Sequence, residues 1–117
     1  MNPDIDKVAL YRAASQASQL LKALSNEYRL LVLCNLLDAE KSVGELQAII
    51  GISQSALSQH LARLRHDGLV KTRRQSQTIY YSVAGDKAVR VIALLDELYC
   101  VPESQKNSAG VVAADVT

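Results

Sequence analysis

Residues 42–70 read SVGELQAIIGISQSALSQHLARLRHDGLV, and this stretch decides the fold. Ser42 and Glu45 have capping-box spacing: a serine side chain accepts from the N3 amide while the N3 glutamate reaches back to the serine amide. The short helix this opens carries Leu46, Ile49 and Ile50 as far as Gly51. Ser53 then caps a second helix to about His66, on which Leu57, Leu61 and Leu64 form one stripe, and Asp67-Gly68 closes it. A short helix joined through a glycine turn to a second helix is a helix-turn-helix, here residues 42–66. With the leucines inward, a step of ~100° per residue puts Ser55, Ser58, Gln59, Ala62 and His66 on the opposite side. That face is small, polar and uncharged toward its N-terminal end. Side chains of this kind read base edges in a major groove: glutamine bonds adenine through two hydrogen bonds, and serine bonds several edges. Gln54 flanks the face within reach of a base or a phosphate.

Working outward, the period changes after Gly68. Residues 69–73 and 78–83 are rich in β-branched and aromatic side chains and read as two strands, with Arg74-Gln75-Ser76-Gln77 as the tip between them. A basic hairpin in this position makes the helix-turn-helix winged, with the wing at 69–83. Arg63 and Arg65 suit phosphates, and Lys71, Arg73, Arg74, Gln75 and Gln77 suit the duplex backbone or the minor groove. Upstream, residues 4–24 repeat Leu10, Ala13, Ala14, Ala17, Leu20, Leu21 and Leu24 at helical spacing. Ser25-Asn26 breaks that pattern with capping chemistry. Residues 27–37 are then apolar nearly all round, as suits a helix in the middle of a small domain. Downstream, residues 86–100 return to helical period, and 101–117 read as a flexible tail. The expected class is mainly α with a small β-hairpin, in the order α-α-α-α-β-β-α, with one domain over residues 1–100.

Composition agrees. The chain has 117 residues, 49% of them hydrophobic and 21% charged, enough for one domain with a real core and too few for two. There is no Trp or Phe, so Leu, Val, Ile and Ala must fill that core. No apolar run approaches the ~20 residues of a membrane helix, and the N-terminus is acidic and polar where a signal peptide would be basic and then apolar, so a soluble, cytoplasmic chain is expected. The net charge of +1 hides a pattern. Lys41, Arg63, Arg65, Lys71, Arg73 and Arg74 face only Glu45 and Asp67 within 41–83, whereas both flanks are net acidic. A basic middle of this kind meets a polyanion.

The two histidines, His60 and His66, lie on the reading helix with no carboxylate or thiol pair to complete a tetrahedral site, so no metal and no cofactor is expected. His60 projects about 60° from the leucine stripe and reads as a half-buried packing residue. Cys34 and Cys100 lack CxxC spacing. They are either two small buried hydrophobes or a redox pair. A small thiol oxidoreductase is the rival from another class, but no acid–base group accompanies either thiol except the two histidines of the reading helix, and no glycine-rich loop is present.

Residues 24–30 (LSNEYRL), 42–46 (SVGEL), 53–70 and 73–81 together resemble the ArsR/SmtB family of dimeric winged-helix repressors, over about residues 17–100. The resemblance implies a homodimer through helices 4–24 and 86–100, and an operator duplex with an inverted repeat. It also implies base reading by Gln54, Ser55, Ser58 and Gln59, the face already found from periodicity. Members usually repress genes and let go on sensing an inducer. The family's metal sites have no counterpart here: residues 44–50 carry no Cys, no His and no second acid, and 86–100 carry no His. Cys34 and Cys100 are similar in placement to the thiol-sensing branch, whose pair is reduced on DNA and bridged by disulfide or polysulfide when released. This implies an oxidant or a reactive sulfur species as inducer. The alternative within the family is a metal-independent regulator or anti-repressor without thiol sensing.

Overall fold

The computed structural model describes residues 6–100; the expected tail at 101–117 and the first five residues lie outside the described residues. Helix α1 spans Lys7–Leu24, α2 Glu27–Leu36, α3 Val43–Ile50, α4 Gln54–His66 and α5 Lys87–Tyr99, with strands β1 Lys41–Ser42, β2 Val70–Gln75 and β3 Thr78–Val83. The local chemistry explains the boundaries. The Asp6 carboxylate accepts from the Val8 amide, so α1 begins at Lys7. The Asn26 side-chain oxygen accepts from the amides of Tyr28 (2.9 Å) and Arg29 (3.1 Å) and starts α2. The Ser42–Glu45 capping box closes in both directions, at 3.2 and 3.0 Å. Gly51 ends α3 at φ 82°, in the left-handed region that glycine adopts without a Cβ clash.

The end of α4 is a Schellman motif. The Leu69 amide donates to the Leu64 carbonyl, the Gly68 amide donates to the Arg65 carbonyl, and Gly68 sits at φ 74°. Leu64 and Leu69 are both buried, which supplies the hydrophobic contact that accompanies this motif.

Two expectations are corrected. The sheet has three strands in the order β1-β3-β2, because Lys41 and Ser42 pair with Tyr81 and Tyr80. Two residues, one of which is also a helix cap, are too few to show strand periodicity. The wing tip is also shorter than the expected 74–77. Arg74 pairs with Ile79 and Gln75 with Thr78, leaving only Ser76-Gln77 as the turn. Ser76 has φ 56°. A positive φ at the first loop residue alone is the φ signature of a type II′ turn, which favours glycine there.

The core consists of Ala23, Leu24, Val32, Leu33, Leu36, Leu46, Leu57, Leu61, Leu64, Leu69, Val70, Ala88 and Ile92. Helix α2 lies at the middle, in contact with α1, α3, α4, α5 and β3. One edge of α2 stays open, with Leu31, Cys34 and Leu37 exposed. Cys100 is exposed too, so in the single chain neither thiol is a buried hydrophobe. Helix α1 buries only Ala23 and Leu24. No helix among the described residues is long and apolar enough to cross a membrane.

Candidate nucleic-acid interface

Helix α4 stands on Leu57, Leu61 and Leu64, each at 0% exposure, and this fixes its rotation. Gln54, Ser55, Ser58, Gln59, Ala62, Arg63, Arg65 and His66 are in consequence all exposed. A groove lined by Ser58, Ala62, Arg65, His66 and Tyr81 separates α4 from the wing. Strand alternation sorts the wing residues that the sequence grouped together. Arg74 shares a face with Thr72 and, across the ladder, with Ile79 and Tyr81, so it lies on the groove side. Lys71, Arg73 and Gln75 lie on the other face with Tyr80. Gln77 is in the turn.

Two of the expected phosphate contacts already have partners. Arg63 Nε donates to Asp67 Oδ2 at 2.7 Å, one turn along α4. Arg73 forks onto Glu40: Nε donates to both carboxylate oxygens at 3.1 Å, and Nη2 also donates to Oε1. Arg73 Nη1 donates to Gln75 Oε1 at 2.9 Å, and the guanidinium carbon lies 4.9 Å from the centre of the Tyr80 ring. The pair shifts both groups in the expected directions, Glu40 below the usual carboxylate range and Arg73 above the usual guanidinium value. Lys71, Arg65 and Arg74 remain exposed cations.

The seat of α4 includes a hub that the sequence reading missed. Arg29 Nε donates to the Ala23 carbonyl at 2.6 Å and Nη2 to the Lys22 carbonyl at 3.1 Å, capping the C-terminal end of α1. Its Nη1 lies 3.4 Å from Nδ1 of His60 on α4. An arginine only donates, so Nδ1 must be unprotonated. Burial first, and the neighbouring Arg29 charge second, hold the His60 pKa below its ordinary value. The ring also tilts against Tyr28 at 5.9 Å between centroids. His60 is thus a half-buried packing residue, as its projection on the helix implied. The clue to the hub was an arginine inside an otherwise apolar helix.

The cysteines lie on α2 and just past α5, two helices that contact each other. Cys34 is exposed at the open edge of α2, and Asp96 of α5 is near enough to act on it. Partial burial foremost, and the Asp96 carboxylate next, push its thiol pKa up. Asp96 also accepts the Cys100 amide through its backbone carbonyl at 2.9 Å. The residue whose charge reaches Cys34 therefore sits one helical turn before Cys100. Among the described residues no three His, Cys, Asp or Glu side chains gather as a metal would require.

Residues 26–72 match the family described as bacterial regulatory protein, arsR family. The chain is 54% identical over 87 residues to the transcriptional activator HlyU of Vibrio cholerae, covering 74% of this chain and 81% of that protein. The solved structure of reduced HlyU superposes with a TM-score of 0.75 at 50% identity, over 80% of this chain and 98% of that one. The biofilm growth-associated repressor of Agrobacterium fabrum is 43% identical over 100 residues, 86% of each chain. A homodimeric winged helix-turn-helix DNA-binding domain from Mycobacterium bovis superposes with a TM-score of 0.68 at 31% identity, over 84% of this chain and 89% of that one. With a helix-turn-helix, a wing and relatives of this closeness, the chain belongs to the arsR family of bacterial regulatory proteins, winged-helix DNA-binding transcriptional regulators and not enzymes.

Proposed function

We propose that the chain binds an inverted-repeat operator as a homodimer, represses from it, and releases it when Cys34 and Cys100 become bridged. The observation that carries the DNA part is the exposed, uncharged Ser55/Ser58/Gln59 face on a fully buried leucine stripe. On this reading Gln54, Ser55, Ser58 and Gln59 read bases, while Arg63, Arg65, Lys71, Arg74 and Gln77 hold the duplex backbone. Arg73 and Gln75 lie on the opposite face of the wing from Arg74, with Arg73 tied to Glu40.

The dimer reading is supported by apolar surface that one chain leaves open. Val8, Tyr11 and Leu21 on α1, and Leu94, Leu98 and Tyr99 on α5, are all more than half exposed. Covering such side chains is worth ~25 cal/mol per Å² of apolar area, and a twofold pairing of terminal helices covers both sets at once. On this reading the pairing places two α4 helices about one duplex turn (~34 Å) apart, the spacing of successive major grooves.

The thiol reading is supported by two exposed cysteines, one on α2 and one at the C-terminal cap of α5, two helices that touch. Inorganic polysulfide is the simplest oxidant. One cysteine thiolate attacks a terminal sulfur, the adjoining S–S bond breaks, the shorter polysulfide leaves, and a cysteine persulfide remains. The second thiol then displaces hydrogen sulfide from that persulfide and closes the bridge; extra retained sulfur lengthens it.

One relative is named an activator and another a repressor. An anti-repressor, which relieves repression by displacing another repressor, would use the same interface, so the alternative changes the promoter outcome and not the DNA contacts. The test selects a duplex from a random library with reduced protein, then compares its affinity before and after polysulfide. Support is an inverted repeat bound tightly by reduced protein, released after treatment, and retained by Cys34→Ser and Cys100→Ser. Release by both serine variants would remove the cysteine pair from the account.

A further inference from the structure

Resting on the thiol-switch reading above, we infer that Glu40 and Lys41 are positioning residues that clasp the wing to the Cys34 end of α2, and that Arg73 is their strut and not a phosphate contact. The clasp is short and has two arms. On one side Lys41 Nζ donates to the Asn35 carbonyl at 2.5 Å and to Asp38 Oδ1 at 3.0 Å. Asn35 immediately follows Cys34, and its carbonyl belongs to the last turn of α2, where carbonyls lack helical partners and a cation is favoured. On the other side Glu40 reaches across the central strand to Arg73 on β2, the strand of the sheet farthest from β1. Tyr80, the β3 residue paired with both Ser42 and Arg73, lies beneath the guanidinium and completes the connection.

This arrangement has two consequences. Every nitrogen of the Arg73 guanidinium donates to Glu40 or Gln75 and the Glu40 carboxylate offsets its charge, so only the second N–H of each Nη is left for a phosphate while the pair lasts. A movement of the last turn of α2, such as a bridge at Cys34 would impose, also acts on the Asn35 carbonyl. Through Lys41, β1 and Glu40 it then reaches the wing strand that carries Arg74. An exposed ion pair of this kind adds little to stability, so its effect is on geometry.

The test uses full-length protein and the inverted repeat that wild type selects from a random duplex library, read by fluorescence anisotropy from low to high salt. Arg73→Gln should leave the slope of log affinity against log salt within a few tenths of wild type, whereas Arg74→Ala lowers its magnitude by about one. Glu40→Gln frees a cation and should raise the magnitude by about one; Glu40→Asp, which keeps the carboxylate, should restore it. A slope lowered by about one in Arg73→Gln would overturn the strut assignment. For the coupling, wild type should lose operator affinity at least tenfold after polysulfide. Glu40→Gln and Lys41→Met should lose less than threefold, while mass spectrometry shows the same Cys34–Cys100 bridge. Wild-type loss in both variants would overturn the coupling while leaving the thiol switch intact. Wild-type protein that keeps its operator after bridging would sink the thiol switch and the coupling with it, and the salt slopes would still decide the strut.

Discussion

Helices α4 and α1 are both amphipathic, yet the structure treats them in opposite ways. Every leucine of the α4 stripe is at 0% exposure, and its polar face is left to the solvent. Helix α1 is longer, but its apolar residues are almost all open to solvent, with Leu21 at 61% and Tyr11 at 72%. Periodicity tells which face of a helix wants cover; it does not tell which surface provides it. The reading unit is complete within one chain. The terminal helices leave apolar side chains open in the single chain, and the proposed cover is a second copy.

That contrast can be broken at either end. The largest expected effect is Leu61→Ala, which opens a cavity beneath α4 and should lower unfolding free energy by ~2–5 kcal/mol, measured by urea denaturation. Leu98→Ala removes a side chain of the same size from an exposed position and should change the stability of the single chain by well under ~1 kcal/mol. Leu98→Asp places a charge in the proposed interface. It should raise the dimer dissociation constant at least tenfold in sedimentation, with the circular dichroism spectrum unchanged. Equal unfolding losses for Leu61→Ala and Leu98→Ala, measured at protein concentrations well below the dimer dissociation constant, would erase the distinction between the two regions.

Smaller effects sharpen it. Cys34 alkylation should be slow at neutral pH and still be rising with pH where an ordinary thiol has levelled off, because burial and Asp96 both disfavour the thiolate. Asp96→Asn should therefore speed the reaction a few-fold at pH 8. His60 gives the smallest effect. Its folded pKa lies below 6.5, so its contribution to stability is complete above pH 6.5. It is lost as pH falls from there toward the folded value and then levels off. The carboxylates held low (Asp38, Glu40 and Glu45) titrate below that window. Thermal melts between pH 7.5 and 5.5 should show a decline that His60→Gln reduces.

What was legible in the sequence was local. The Ser42–Glu45 box, the Ser53 cap, the 57/61/64 stripe and Gly68 each rest on successive residues no more than four positions apart, and the structure has them as read. What was not legible spans the chain. Glu40 and Arg73 lie 33 residues apart, and Arg29 and His60 lie 31 apart. No spacing rule joins such pairs, so Arg73 read only as one more basic wing residue. Strand β1 escaped because its partner is β3, nearly forty residues on, and because a two-residue strand has no period. The thiols read as possible core residues because their sequence neighbours are apolar. Which edge of α2 stays uncovered is a tertiary fact.

The central claim is that α4 reads sequence while the wing supplies charge, and one measurement tests it most directly: binding of Gln59→Ala and Arg74→Ala to the selected inverted repeat and to a random duplex of equal length, across salt. Gln59→Ala should lose ~1–3 kcal/mol on the selected duplex and almost nothing on the random one, with an unchanged salt slope. Arg74→Ala should weaken both alike and reduce the slope by about one. If the two variants behave identically on both duplexes, the division of labour between reading helix and wing is contradicted.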